Sequence, residues 1–164
     1  MVSGKVDPSA GLSRLGLKSI LISTLELYHA RQCSTADCKE ITKFILRLMI
    51  SHRRSVNGRK FLCYWSEGAL SKYPTRKGTE VDHTVPIAYI TKRMLEENDP
   101  YVAMIEMEPA FHLVRVLPEE HRELLKCTMP NDWNPNDGES WKARYKAANI
   151  IISAQETEGD LEFI

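Results

Sequence analysis

The chain has 164 residues, of which 43% are hydrophobic, and its 22 basic side chains balance its 22 acidic ones. This length fits one domain with a substantial core, and because no run of about 18 apolar residues occurs, we expect no membrane-spanning helix. The net charge of zero gives no indication of a nucleic-acid partner. The first residues lack the apolar core and small-residue cleavage site of a signal peptide, so we expect a cytoplasmic protein.

Two amphipathic helices are predicted in the first third of the chain. Apolar residues recur at helical spacing over about residues 12–32. Ser34, with Asp37 three residues later, is a helix start signal. An apolar stripe that begins at Cys38 predicts a second helix over about residues 35–54. We expect the two helices to form an antiparallel hairpin that serves as a scaffold.

Short strand and helix patterns alternate in the middle of the chain. Residues 60–65 (KFLCYW) are rich in aromatic side chains and fit either a strand or a short helix. A short β-type run follows at residues 79–81. Pro86 opens a helical pattern over residues 86–97, whereas residues 101–109 carry no decisive pattern.

A strand and a second helical region are predicted beyond that point. Residues 111–116 (FHLVRV) alternate and are rich in Val and Leu, which favours a strand. Pro118, followed by two acidic residues, opens a helix that carries His121. Residues 140–148 predict a last helix with a serine N-cap, and the acidic tail, residues 156–164, is expected to fray.

Lys and Arg are concentrated in one segment. Residues 51–93 hold nine of them against three acidic residues, a net charge of +6 that the rest of the chain offsets. Such a segment suits a surface that faces phosphates, although the same charges also suit an ordinary solvated face. The candidate nucleic-acid-binding residues are Arg53, Arg54, Arg59, Lys60, Arg76 and Lys77, together with Arg115 in the second predicted strand.

Two segments carry the residues suited to metal-assisted chemistry. One is EVDHTVP at residues 80–86, which includes the end of a predicted strand, and the other is HLVRVLPEEH at residues 112–121, a strand that leads into a helix. An Asp and a His from different elements can hold one divalent cation and leave positions for water and phosphate. A second His, with an unperturbed pKa of about 6.5, can accept a proton from water at neutral pH.

Together these segments resemble the HNH (ββα-metal, His-Me finger) endonuclease family. The family signature has a strand that ends in Asp-His, followed by one residue, an aliphatic and a proline, as from Asp82 to Pro86. Its second half has a polar residue that opens strand two and a metal ligand nine positions later in a helix, as at His112 and His121. The resemblance covers about residues 79–126.

The resemblance implies a role for each of four residues. Asp82 and His121 would be the metal ligands, and His83 the general base. His112 stands where the family usually has Asn, the residue that orients the base, and it follows His83 by 29 positions, a longer interval than the compact family loop. The site is therefore an H-H-H variant. The implied cofactor is Mg²⁺ or Mn²⁺, with Zn²⁺ as an alternative.

The predicted fold is α+β and mostly helical, with an N-terminal helical hairpin packed on a ββα-metal motif. We expect one domain over residues 1–164, in which residues 1–57 form the helical scaffold and residues 79–126 form the HNH-like core. Residues 127–164 would add a C-terminal helix and the acidic tail. The four cysteines are expected to be free thiols, with a four-cysteine zinc site as the weaker alternative.

The function implied is metal-dependent hydrolysis of DNA phosphodiester bonds, and a homodimer is an open expectation. Three alternatives remain at the level of the sequence. The same site could act on RNA or a structured nucleic acid, or the fold could bind nucleic acid without catalysis. In the third, the chain is a helical interaction protein in which the histidines are incidental.

Overall fold

The computed structural model describes residues 14–51, 55–56, 59–107, 111–157 and 160–164. Its architecture is α+β, which confirms the predicted fold class. The ββα-metal motif within it stays a prediction. The helices are α1 (Arg14–His29), α2 (Thr35–Ser51), α3 (Glu67–Leu70), α4 (Ile87–Glu96), α5 (Pro100–Met107), α6 (Pro118–Glu123) and α7 (Ala143–Ala147). The strands are β1 (Ser55–Val56), β2 (Arg59–Ser66), β3 (Glu80–His83), β4 (Leu113–Val116), β5 (Ile152–Thr157) and β6 (Asp160–Phe163).

The two N-terminal helices pack against each other. Ser34 caps α2, because its hydroxyl accepts the N–H of Asp37 at 3.1 Å and donates to the Asp37 carboxylate at 2.6 Å. Leu25 of α1 and Leu46 of α2 are fully buried in one apolar cluster. The helical periodicity of both segments therefore reflects a shared apolar interface.

β2 is the central strand of a mixed sheet with the order β3-β4-β2-β5-β6, and β1 also pairs with β2. β2 pairs with β4 in parallel, with Tyr64 opposite Val114. Its pairing with β5 is antiparallel, with Tyr64 opposite Gln155. The segment at residues 60–65 is therefore a strand. Parallel neighbours need a long connection, and α3, β3, α4 and α5 all lie between β2 and β4.

β3, β4 and α6 occur in this order along the chain, with α4 and α5 between the two strands. β3 and β4 are antiparallel, with Asp82 opposite Val114 and His83 opposite Leu113. The connection between them contains the predicted helix, now α4, and also α5, where the sequence carried no decisive pattern. Pro118 is the first residue of α6, in keeping with the preference of proline for that position.

Two apolar clusters lie against the sheet. Val114 and Val116 are fully buried and belong to the larger cluster, which also contains residues of α1, α2 and α4, whereas Trp65 lies in the smaller one. Because directly paired residues share a face, Asp82 shares the face of Val114, and His83 occupies the alternate position. Among the described residues, no helix is both long and apolar enough to cross a membrane.

The C-terminal segment departs from two of the predictions. The acidic tail was expected to fray, but its described residues form the end of β5 and all of β6. The physical reason is that Glu156 is buried, where it accepts a hydrogen bond from Trp65 Nε1 at 2.9 Å and pairs with Arg76. Ser140 is not the N-cap of α7, because it lies inside a 3-10 turn (Ser140–Lys142) that precedes this helix.

Candidate active site

Asp82 of β3 and His121 of α6 lie side by side. The Asp82 Oδ1 atom is 3.4 Å from the His121 Nε2 atom. Asp82 is 8% exposed, whereas the His121 side chain is 39% exposed, so the pair lies at the boundary between core and solvent. Two ligand atoms that each lie about 2.1 Å from one cation, at right angles, are separated by about 3 Å. The spacing therefore fits two ligands of one ion after a small adjustment.

Glu80 holds the other ring nitrogen of His121. Its Oε2 atom forms a hydrogen bond with His121 Nδ1. Glu80 precedes Asp82 by two residues in β3, so both side chains point to the same face. Metal-binding histidines commonly donate one ring N–H to a carboxylate, which leaves the second nitrogen free to bind. A protonated His121 would instead bridge the two carboxylates as an ion pair.

The start of α6 fixes the position of His121. Glu120 Oε2 accepts the N–H of Leu117 at 2.7 Å and the hydroxyl of Ser66 at 2.6 Å, which ties α6 to the end of β2. The His121 N–H in turn donates to the Leu117 carbonyl at 2.9 Å. Gly68 makes room for this arrangement, because a Cβ at that position would lie 2.6 Å from Glu120 Oε1. His121 is thus held by the central strand of the sheet.

Arg144 and Tyr145 of α7 hold the second oxygen of Asp82. Arg144 Nη1 donates to Asp82 Oδ2 at 3.0 Å, and the Tyr145 hydroxyl donates to the same atom at 2.6 Å. Both side chains are almost fully buried. Burial, followed by the charge of Asp82, raises the pKa of Tyr145 well above its ordinary value, so the hydroxyl keeps its proton. These contacts orient Asp82 so that Oδ1 remains towards His121.

His83, predicted as the general base, follows Asp82 directly at the end of β3. Its carbonyl accepts a hydrogen bond from Arg144 Nη1 at 2.6 Å, so one guanidinium holds both residues. Burial lowers the pKa of His83, the positive charges of Arg47 and Arg144 lower it further, and the Asp82 carboxylate opposes them. The ring is therefore neutral at neutral pH, which is the form that can accept a proton.

His112 holds the residue after His83 through its backbone. The His112 N–H donates to Thr84 Oγ1 at 3.1 Å, and the Thr84 N–H donates to the His112 carbonyl at 3.1 Å. The His112 ring lies against the rings of Tyr64 and Trp141, with centroids 5.3 Å and 5.2 Å away. The peptide contacts do not depend on the side chain at this position, so they are compatible with either His or Asn.

The predicted nucleic-acid-binding residues have several different environments. Arg76 pairs with the buried Glu156, and Arg115 lies 5.3 Å from the centroid of the Trp65 ring and donates to Thr79 Oγ1 at 2.9 Å. Lys77 is exposed on the turn before β3. Arg53 and Arg54 lie outside the described residues, and of Arg59 and Lys60 only the backbone, in β2, is described.

The donors for a cation are few. Within the described ranges, no group of three or more His, Cys, Asp or Glu side chains is arranged to hold one metal ion. Asp82 Oδ1 and His121 Nε2 are the pair best placed to do so, with the other positions left to water and substrate oxygens. The four cysteines are free thiols that range from buried Cys63 to exposed Cys127, so a four-cysteine zinc site has no support.

Three residues of the site were not identified from the sequence. Glu80 could have been predicted, because it lies two residues before Asp82 in a predicted strand and its side chain therefore points to the same face. Arg144 and Tyr145 could not, because they reach Asp82 only through the tertiary fold. No protein-family model, curated protein or solved structure matches this chain.

Proposed function

We propose that the protein is a metal-dependent endonuclease that hydrolyses phosphodiester bonds of DNA. The observation that carries the proposal is the 3.4 Å approach of Asp82 Oδ1 to His121 Nε2 at the junction of β3 and α6. Support comes from Glu80, which occupies the second nitrogen of His121 in the way that carboxylates support metal-binding histidines. The strand–strand–helix order around the pair supports the same function.

Each residue of the site has a role in the proposed reaction. Asp82 and His121 would hold the cation, which when bound supplies positive charge to a scissile phosphate and to its leaving oxygen. His83, kept neutral by its burial, accepts the proton of the attacking water. Arg144 fixes the position of His83 relative to Asp82, because its Nη1 atom donates both to the carboxylate of Asp82 and to the backbone carbonyl of His83.

The number of protein donors, rather than their type, favours Mg²⁺ or Mn²⁺ over Zn²⁺. Catalytic zinc sites use three protein ligands, whereas Mg²⁺ retains several waters and is often held by one or two protein groups together with substrate phosphate. Two donors face each other at this site. A substrate oxygen would complete the coordination, which agrees with hydrolysis of a phosphate ester.

The test is cleavage of supercoiled plasmid with Mg²⁺, with Mn²⁺ and with EDTA. We expect metal-dependent nicking that falls by about 10²–10⁴-fold in His83→Ala, since that is the usual contribution of a general base. His29→Ala is the matched control, because His29 is an exposed histidine at the end of α1, where its ring contacts Tyr28. Its rate should equal that of the wild type.

Two results would contradict the proposal. Cleavage that persists in EDTA would exclude the metal, and cleavage that persists in His83→Ala would exclude His83 as the base. Parallel assays on single-stranded RNA, duplex RNA and duplex DNA distinguish the nucleic acids. A clear preference for RNA would leave the proposed phosphodiester hydrolysis intact but would make RNA, rather than DNA, the substrate.

A second candidate is a nucleic-acid-binding protein without catalysis. It is favoured by the lack of a three-residue metal group among the described residues and by the two donors that already occupy Asp82 Oδ2. Titration with Mn²⁺, followed by electron paramagnetic resonance, separates the candidates. Binding by the wild type that is lost in His121→Ala supports the nuclease, and absence of binding supports the alternative.

A further inference from the structure

A groove of about 490 Å³ lies between α2 and α4. Lys39 and Lys43 line it from α2, and Lys92 lines it from α4. Ala88, in the first turn of α4, lines it as well, five residues after His83. One side of the groove is thus formed by α4, the helix that comes next in the chain after His83, the candidate base.

The basic residues of α2 form a single row. Lys39, Lys43 and Arg47 are spaced by four residues, which places them on one side of the helix. At 1.5 Å per residue the row is about 12 Å long. Lys39 and Arg47 are exposed, and Lys43 is partly so. The row therefore presents its charges to solvent along much of the groove.

The row leads towards the candidate active site. α2 packs against α4, and α4 begins four residues after His83. The charge of Arg47, at the end of the row, contributes to the electrostatic environment of His83. Lys39, at the other end, lines the groove together with Leu95 and Glu96 near the end of α4.

Two acidic residues reduce the charge of the groove without cancelling it. Glu40 accepts a hydrogen bond from Lys43 at 2.7 Å, and Glu96 lies 3.7 Å from Lys92. Each pair joins two residues of the same helix and is exposed to solvent. Such ion pairs contribute little to stability, so both lysines can exchange their carboxylate partner for a phosphate. Lys39, Lys43 and Lys92 line the groove, so its net charge stays positive even when Glu40 and Glu96 are both counted against them.

We propose that the groove between α2 and α4 binds the sugar–phosphate backbone of the nucleic acid and leads it to His83. This inference rests on the proposed nuclease function, because it names the path of the substrate to that site. Phosphates are bound by rows of Lys and Arg through charge alone, without reading sequence. Of the described residues in the basic segment over residues 51–93, Lys92 lines this path.

The experiment measures binding without cleavage. Fluorescence anisotropy of a labelled DNA duplex in EDTA gives the affinity across a series of salt concentrations. Lys39→Gln/Lys43→Gln removes two charges from the groove. Lys126→Gln/Lys146→Gln is the matched control, because both lysines are exposed and neither of them lines the groove.

We expect the groove variant to bind several-fold more weakly and its slope of log affinity against log salt to fall by about two, one for each lost phosphate contact. The control should match the wild type. Equal losses in both variants, a loss confined to the control, or a wild type that does not bind DNA would each overturn the proposal. Normal binding in the groove without any cleavage would overturn only the nuclease function.

Discussion

Tyr145 donates its hydroxyl to Asp82 Oδ2 across 2.6 Å, although the two residues are 63 positions apart in the chain. The bond is buried, and it is made to an acidic side chain whose other oxygen faces His121. A helix late in the sequence thus determines the orientation of a carboxylate on an early strand. The stability of the fold and the geometry of the candidate site depend on the same contact.

Tyr145→Phe should lower the free energy of unfolding by about 1.5–3 kcal/mol, since it removes a buried hydrogen bond to a charged group and retains the ring. Urea unfolding in EDTA measures this change. Tyr101→Phe is the control, because Tyr101 is 60% exposed, and its stability should be that of the wild type. Equal stability of Tyr145→Phe and the wild type would show that the buried hydroxyl contributes nothing.

Glu80→Ala should weaken Mn²⁺ binding by about 10–100-fold, the usual cost of removing a partner from a metal-binding histidine. Glu80→Gln should recover part of the loss, because its amide oxygen can still accept the N–H of His121. Glu119→Ala, an exposed substitution in α6, serves as the control. If Glu80→Ala bound Mn²⁺ as well as Glu119→Ala does, Glu80 would have no positioning role.

His83 should make the stability of the metal-free protein depend on pH. Because burial lowers its pKa below the ordinary 6.5, the unfolded chain takes up this proton at a higher pH than the folded one. The stability that neutral His83 contributes is therefore complete above about pH 6.5 and is lost as the pH falls through the folded pKa.

Urea unfolding in EDTA at about pH 7.5 and about pH 5.5, on either side of the ordinary histidine pKa, measures this contribution. His83→Gln cannot take up the proton, so its stability should fall less between the two conditions than that of the wild type. Comparison of the two proteins removes the effect of the other titrating groups. Parallel losses in both would contradict the assignment of a buried, neutral His83.

Cys63 and Cys127 should differ in reactivity. Burial raises the pKa of Cys63 to about 11, whereas Cys127 is exposed, and only the thiolate reacts. With Ellman's reagent at about pH 8, Cys127→Ser should abolish a rapid phase. Cys63→Ser should leave that phase intact and reduce only the thiol count after unfolding. A rapid phase that Cys63→Ser removed would show that the thiol is accessible.

Local patterns were sufficient to predict β3, β4 and α6. Alternation defined the second strand, and Pro118 with its following acids defined the start of the helix. The approach of Asp82 to His121 was predicted from the resemblance to the HNH family, in which the corresponding residues bind one ion, and the two side chains do lie 3.4 Å apart. Their role as metal ligands stays a prediction.

The C-terminal strands and the contacts of α7 could not be predicted in the same way. Glu156 makes its segment polar, and its distant partners Cys63, Trp65 and Arg76 explain why it is buried. Arg144 and Tyr145 likewise have no local signal, because their partner Asp82 lies in another part of the chain. Pairings of this kind are set by the packing of the whole fold.

The pairing of β2 with β5 has a consequence for the order in which the molecule assembles. Trp65 and its partner Glu156 are 91 residues apart, so a long loop must close before this part of the sheet forms. Contacts between α1 and α2 are local and should form early, whereas those between distant strands form slowly. Arg144 and Tyr145 lie just before β5, so their contacts with Asp82 should form late. A substitution that only slows the docking of β5 should delay the onset of the proposed activity in newly made protein while leaving every residue of the site unchanged.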